Sequence, residues 1–205
     1  MSLRTNLVLA ATVVALGSTS ACGDDQAPAT QTTDDQTATP AAASEPSADG
    51  PLTVENLADR CETLVPIVTT LRAQPPAEVK ASEAKNATGD GFEYRTAHCT
   101  FAYEGDDFSD PNRVDVYLDA APDDIAGLKT HWESIATSEA LAAIDGADAA
   151  TWYTMTGVDA KSSARALVGD SIISVRVAVP KDMKDEVFMS KTALATALQA
   201  VVDLR

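Results

Sequence analysis

The stretch SARALVGDSIISVRVAV, residues 163–179, carries the clearest fold signal in this chain of 205 residues. Its second half places branched apolar side chains at alternate positions: Ile173, Val175, Val177 and Val179. Alternation with a period of two indicates a strand with one buried face, and a Gly-Asp pair between two strand segments is typical of a two-residue turn. Residues 163–168 and 172–179 are therefore predicted to pair as an antiparallel hairpin around Gly169-Asp170.

Strand and helix patterns continue on both sides of this hairpin. Strand character recurs in residues 94–103, 113–119 and 150–156. Apolar residues spaced three and four apart predict helices over residues 54–71, 125–135 and 194–202. Pro66 either kinks the first of these helices or begins a second, short one.

The predicted fold is one α+β domain over residues 52–205. It has an antiparallel sheet of about five strands with helices mainly on one face. Residues 77–91 are small and polar, and an irregular segment with a turn at residues 89–91 is expected there. A short helical piece is expected at residues 139–144, and Phe101, Tyr103, Trp132, Trp152 and Tyr153 are expected in the core.

The first 51 residues have a different composition. Arg4 precedes an apolar run over residues 7–16, which is too short for a membrane-spanning helix of about 20 residues. Small residues follow, so residues 1–21 are interpreted as a secretory signal peptide. Residues 22–51 contain six acids and four prolines but no Leu, Ile, Val, Met or aromatic residue. They are predicted to form a disordered linker, because they cannot bury enough apolar surface to offset ordering. Its threonines are candidate acceptors for O-linked sugars, and an unmodified linker is the alternative.

Cys22 indicates that the signal peptide is of the lipoprotein type. Thr19-Ser20-Ala21-Cys22 resembles the lipobox of bacterial lipoproteins, in which Leu usually stands at the position of Thr19. The resemblance implies that the Cys22 thiol receives a diacylglyceryl group and that Cys22 becomes the new N-terminus. Acyl chains such as palmitate would then hold the protein on the extracytoplasmic face of the membrane, at about 0.8 kcal/mol per buried CH₂. Cleavage after Ala21 without lipidation is the alternative.

Charge and cysteine content narrow the classes of function. The chain has 15 Lys and Arg against 31 Asp and Glu, for a formal net charge of −16. This balance argues against nucleic-acid binding, which needs clustered Lys and Arg. With Cys22 lipidated, Cys61 and Cys99 remain, and outside the cytosol such a pair predicts one disulfide. Two widely spaced cysteines do not have metal-ligand spacing, and neither a metal nor a cofactor is expected.

No catalytic motif is apparent in the sequence. His98 and His131 have no partner at ligand spacing, and structural roles are the more common interpretation. The motifs G-x-S-x-G and H-E-x-x-H do not occur. The acidic residues 104–110 offer oxygen ligands suited to Ca²⁺, and a solvated loop between strands is the alternative. The protein is therefore not expected to be an enzyme.

Several short motifs of residues 52–205 together resemble those of one class of proteins. They are DRCETL at residues 59–64, CTF at 99–101, residues 149–153 ahead of Gly169-Asp170, and the Ala- and Leu-rich C-terminal segment. Together with the lipobox and the Thr-, Pro- and Asp-rich linker, they resemble small cell-envelope lipoproteins of actinobacteria in domain-of-unknown-function families. Those proteins usually have Trp shortly after the second cysteine, where this chain has Phe101. The resemblance implies a binding or accessory role in the cell envelope and transfers no catalytic residue.

Three functional hypotheses follow. The first is a membrane-anchored, extracytoplasmic, non-catalytic binding domain whose partner is an envelope protein. The second is a carrier or sensor that holds a lipid or another apolar ligand in a cleft between helices and sheet. The third is a hydrolase whose carboxylates converge from distant positions.

Overall fold

The computed structural model describes residues 50–89, 91–103, 112–141, 144–156, 160–184 and 186–205. These residues form three α-helices and a seven-stranded antiparallel sheet. The α+β class and the antiparallel sheet are therefore confirmed. The signal peptide, Cys22, the linker up to residue 49 and the acidic loop 104–110 lie outside the described residues, and the predictions for them stay predictions.

The strands, in chain order, are β1 (Glu78–Gly89), β2 (Phe92–Ala102), β3 (Arg113–Ala120), β4 (Glu139–Ala140), β5 (Ala149–Thr156), β6 (Ala160–Val168) and β7 (Ser171–Val179). The helices are α1 (Val65–Arg72), α2 (Ile125–Ser134) and α3 (Lys191–Val202), with 3₁₀ segments at Ala58–Leu64, Lys181–Met183 and Val187–Met189. The strands lie in the order β1-β2-β3-β7-β6-β5-β4. The pairing of β3 with β7 therefore joins the first three strands to the last four.

The hairpin predicted from residues 163–179 is confirmed. Val168 pairs with Ser171 across the two-residue turn. Gly169 has a φ of 59°, in the left-handed region that glycine adopts without steric cost.

The expectation of about five strands is wrong, because β1 and β4 were not predicted. β1 is rich in Ala, Lys and Glu, which are poor strand formers, and it is held at the sheet edge by pairing with β2. In β4, Glu139 pairs with Trp152 and Ala140 with Thr151. This pairing replaces the helical piece expected at residues 139–144.

The first helical region divides at Pro66. Of the two alternatives predicted from the sequence, a kink and a second short helix, the structure has the second helix. A 3₁₀ segment ends at Leu64, and α1 then begins with Pro66 in its first turn. Pro is tolerated there because the first amides of a helix have no intrahelical acceptor.

One side of the sheet, here called the core face, carries the main hydrophobic core. It is covered by α1, by the 3₁₀ segment that precedes it and by α3. Fully buried side chains fill this interface, among them Leu57, Leu64, Val68, Phe101, Val116, Val175, Leu194 and Leu198. The helical stripe predicted for the C-terminal segment is thus confirmed by the burial of its apolar residues.

The opposite side of the sheet, here called the cleft face, is covered at one end by α2. Asp124 caps this helix, because the amide of Gly127 donates to Asp124 Oδ1 at 2.8 Å. Leu128 and Trp132 of α2 pack on Leu167 and Ile172 in a second, smaller hydrophobic cluster. The helices therefore lie on both faces, with two of the three described α-helices on the core face.

A disulfide between Cys61 and Cys99 is present, as predicted. It joins the 3₁₀ segment to β2 over a sequence separation of 38 residues. Cys61 is 4% exposed and Cys99 is 0% exposed, so the bond belongs to the main core. Its position under the first helical region also agrees with the prediction that His98, the next residue along β2, points to the other face.

We predict that replacing both cysteines by Ala lowers the free energy of unfolding by about 2–4 kcal/mol, because the unfolded chain regains the entropy of the open loop. Equilibrium unfolding in urea, followed by circular dichroism, measures the change. Reductant should lower the midpoint of the native protein and leave that of the double variant unchanged. Equal unfolding free energies for the native protein and the variant would contradict the prediction.

Candidate functional site

A cleft with a volume of about 410 Å³ lies on the cleft face. It is lined by residues of β1, β2, β3, β5, β6 and β7 and by Leu128 and Trp132 of α2. The sheet therefore forms its floor, while α2 and the neighbouring Pro122 bound one end.

Strand register places the polar floor residues of the cleft in rows. One row runs from β5 to β2 through Thr151, Arg165, Ser174, Tyr117 and His98. Ser174 has the shortest side chain of this row and lies between an arginine and a tyrosine. The register therefore brings four lining residues of the cleft, Arg165, Ser174, Tyr117 and His98, into one row.

The adjacent row contributes a second arginine. It runs from β5 to β3 through Tyr153, Ser163, Arg176 and Asp115. Arg165 and Arg176 thus lie on neighbouring strands and on the same face, although they occupy neighbouring rows.

Cationic and aromatic side chains stack alternately along these rows. Cζ of Arg165 lies 4.6 Å from the ring centroid of Trp132 and 4.6 Å from that of Tyr153. Cζ of Arg176 lies 4.9 Å from the ring centroid of Tyr117, whose other neighbour is the stacked ring of His98 at 5.0 Å. Cation–π contacts of this kind contribute about 0.5–2 kcal/mol each. They help to explain how Arg165, a residue that is only 7% exposed, is accommodated.

Arg176 remains positively charged in this setting. Burial opposes its charge, but the interactions with Tyr153, Tyr117 and Asp115, including a hydrogen bond to Tyr153, outweigh burial and raise the pKa of Arg176. Burial also raises the pKa of Tyr117, and Asp115 adds to that shift. Tyr117 therefore stays neutral near pH 7.

The cleft is positively charged within an acidic protein. Among the described residues that line it, Lys85, Arg165 and Arg176 are cationic, and Asp119 is the single carboxylate. The nearby Asp115 accepts hydrogen bonds from Thr100 Oγ1 at 2.7 Å and from Arg113 Nε at 3.1 Å. Asp115 is shared between Arg113 and the nearby Arg176, and the lining of the cleft itself has an excess of positive charge.

The end of the cleft beneath α2 is apolar. Leu128, Trp132 and Ile172 line it and belong to the second hydrophobic cluster. Met155, also in the lining, is 50% exposed. The cleft therefore combines a charged region on the open sheet with an apolar region beside the helix.

The structure separates the residues singled out from the sequence. Cys61 and Cys99 lie in the main core, and His98 lies in the cleft. His131 lies on α2 with its ring 6.3 Å from that of Phe92. Trp132 and Tyr153, expected in the core, are 3% and 7% exposed and also line the cleft.

Sequence reasoning missed Arg165, Arg176, Tyr117 and Lys85. Their convergence depends on the register of strands that are distant in sequence. One signal was visible: polar and cationic residues alternate with the apolar residues of β6 and β7, whose two faces therefore differ in chemistry.

Metal chemistry receives no support from side-chain clustering. Over the described ranges, no group of three or more His, Cys, Asp or Glu side chains is arranged to hold a metal ion. The acidic loop proposed for Ca²⁺ lies outside those ranges, so that hypothesis is not addressed by this observation.

We predict that His98 makes stability depend on pH. Burial lowers the pKa of His98 below its usual value of 6.5; Lys85, Arg176 and Arg113 lower it further, whereas Asp115 acts in the opposite direction. The unfolded chain therefore binds a proton at this position more readily than the folded protein. The stability contribution is complete above about pH 6.5 and is lost as the pH falls towards the folded pKa.

The His98→Gln variant tests this dependence. The melting temperature of the native protein minus that of the variant should become smaller as the pH is lowered from about 7.5 to about 5.5. The many carboxylates titrate in both proteins, so their effect cancels in the difference. A difference that does not change with pH would contradict the prediction.

In the part of the chain that the structure describes, no helix is long and apolar enough to cross a membrane. No protein-family model, curated protein or solved structure matches this chain.

Proposed function

We propose that this chain is a lipid-anchored, extracytoplasmic lipoprotein of the bacterial cell envelope, and that its α+β domain is a non-catalytic binding domain with the cleft as its ligand site. The observation that carries the binding role is the cleft itself. Its volume of about 410 Å³ is within the range of small-molecule sites, about 300–1,000 Å³. The buried Arg165 and the half-buried Arg176, both held by aromatic rings, give it a preformed polar region.

The anchoring part of the proposal rests on the N-terminal sequence. A basic residue, an apolar run and Ser20-Ala21-Cys22 are followed by a linker without large apolar residues. Such a linker of about 30 residues has a coil span of about 30 Å. That reach is sufficient to hold a folded domain away from a membrane surface.

A binding role agrees better with the lining of the cleft than hydrolysis does. Paired carboxylates are the usual minimum for acid–base hydrolysis of a glycosidic bond, and the described lining has Asp119 alone. His98 stacks on Tyr117, and its lowered pKa keeps it neutral near pH 7. These observations favour the non-catalytic proposal over the hydrolase.

A carrier or sensor of a lipid or another apolar ligand is the alternative. Phe92, which is half-buried, and Met155, which is 50% exposed, favour it, because both line the cleft and leave apolar surface open to a ligand. The interface between the core face and its helices is filled with buried side chains. Besides the cleft, a groove of about 440 Å³ lined by residues of α1 and α3, among them Ile67, Leu71 and Ala197, offers space for such a ligand. The envelope protein expected as a partner from the sequence stays a prediction.

We predict that Cys22→Ala releases the protein from the membrane or blocks its processing, because no thiol remains to carry an acyl chain and two or more chains are needed for stable attachment. Fractionation of cells of the producing bacterium, followed by immunoblotting, measures the distribution. The Cys61→Ala/Cys99→Ala double variant keeps Cys22 and serves as the control that stays in the membrane fraction. Unchanged membrane association of the Cys22→Ala protein would refute the anchor.

We predict that Ala87→Trp blocks ligand binding, because Ala87 lines the cleft from the edge strand β1 and an indole there fills space without removing any charge. Native mass spectrometry of the full chain carrying Cys22→Ala, exported into a bacterial envelope, detects a bound ligand as added mass that denaturation removes. Thr88→Trp is the matched control, since Thr88 is exposed and successive strand residues point to opposite faces.

The expected pattern is a ligand mass in the parent and in the Thr88→Trp variant and its loss in Ala87→Trp. A ligand retained by Ala87→Trp would place binding elsewhere. An added mass missing from the parent protein would count against the cleft as an envelope ligand site.

A further inference from the structure

We propose that the ligand of the cleft is a small amphipathic anion, with a carboxylate or phosphate group bound by Arg176 and Lys85 and an apolar body packed beside α2. This inference rests on the proposed function, in which the cleft is the ligand site, and adds the chemical class of the ligand. Four features of the cleft support it.

The first feature is a reversal of charge. The chain has about two acids for every base, with 31 Asp and Glu against 15 Lys and Arg. The described lining of the cleft reverses this ratio, with three cationic side chains to one carboxylate. A concave site whose charge is opposite to that of the protein concentrates ligands that the rest of the surface repels.

The second feature is the setting of the cationic groups. Arg176 is half-buried and stacked against Tyr117, so its guanidinium group is held in position before a ligand arrives. Lys85 is exposed on β1 at the side of the cleft. A guanidinium fork binds carboxylate or phosphate through two parallel hydrogen bonds, and Lys85 supplies a second, mobile charge.

The third feature is that the faces of the aromatic rings in the cleft are already occupied by arginines of the protein. Tyr and Trp rings can attract cationic ligands, but here the rings already stack against protein cations. Trp132 and Tyr153 contact Arg165, and Tyr117 contacts Arg176. A cationic ligand would have to compete with these contacts and would be repelled by the arginines. The arrangement therefore selects against cations.

The fourth feature is the apolar end of the cleft. Phe92 is half-buried, lines the cleft and packs against the second hydrophobic cluster, whose members Leu128, Trp132 and Ile172 are only 3–6% exposed beneath it. An inorganic anion would leave this surface in contact with water. A ligand with an apolar body covers it and gains about 25 cal/mol per Å² of buried apolar area.

The test uses probes that differ in one group. Isothermal titration calorimetry measures binding of 1-naphthoate and of the uncharged 1-naphthamide to the full chain carrying Cys22→Ala. We expect 1-naphthoate to bind at least about tenfold more tightly, because a charge-assisted hydrogen bond is stronger than a neutral one. 1-Naphthyl phosphate in a parallel titration shows whether the site prefers phosphate or carboxylate.

Three variants test the assigned cations. Arg176→Met and Lys85→Met should each weaken 1-naphthoate binding by about fivefold or more. Arg95→Met is the matched control: it removes the same charge from β2, but Arg95 pairs with Glu55 at 2.5 Å on the exposed surface and does not line the cleft. Lys85 is exposed, so its variant keeps the test informative if Arg176→Met fails to fold.

The outcomes separate this inference from the proposed function. Equal affinities for 1-naphthoate and 1-naphthamide, both lost in Ala87→Trp, would overturn the anionic ligand and leave the cleft as the ligand site. If Arg95→Met and Arg176→Met weakened 1-naphthoate binding equally, the anionic ligand would also be overturned. The weakening would then come from the change in the net charge of the protein and not from the cleft. Absence of binding by all three probes would overturn the inference, whereas the native mass measurement decides the proposed function independently.

Discussion

The register of β3 against β7 determines where the side chains of the proposed ligand site lie. These two strands are distant in sequence, and their pairing aligns Tyr117 with Ser174 and Asp115 with Arg176. A shift by one residue would turn every side chain of one strand to the opposite face. The arginine of β7 would then enter the main core, and its valines would face the cleft. The alternating apolar residues of both strands prevent this shift, because one face of each is buried in the core.

The same strands have one face in the packed core and the other face in the charged cleft. On the core face, β7 presents Val175 and Val177, both 0% exposed. On the cleft face it presents Arg176, which would be costly to bury without compensation. Stacking on Tyr117 and the nearby Asp115 provide that compensation. One strand thus contributes to the core on one side and to the proposed ligand site on the other, and the two roles are separated by the thickness of the sheet.

Local pattern accounts for the part of the structure that the sequence predicted. The Gly169-Asp170 hairpin, α2 and α3 all have strong periodicity, and the sequence predicted them. β1 was missed because its order comes from main-chain pairing with β2 and not from its own side chains. The site was missed for a related reason: Arg165 and Arg176 have the sequence signature of solvent-facing strand residues. The sheet face that carries these arginines becomes a cleft only through the order of the strands and the position of α2.

The Cys61–Cys99 bond has a mechanical consequence for a chain that is pulled from its N-terminal side. Tension applied at residue 50 would first load weak contacts, among them the bond from the Leu52 amide to the Leu204 carbonyl at 2.9 Å. After these give way, the disulfide transfers the load covalently to β2. Extension would therefore stop at Cys61, and the force would pass into a strand paired on both sides. Within the folded unit, only the segment before Cys61 can be peeled away while the sheet and its cleft remain intact.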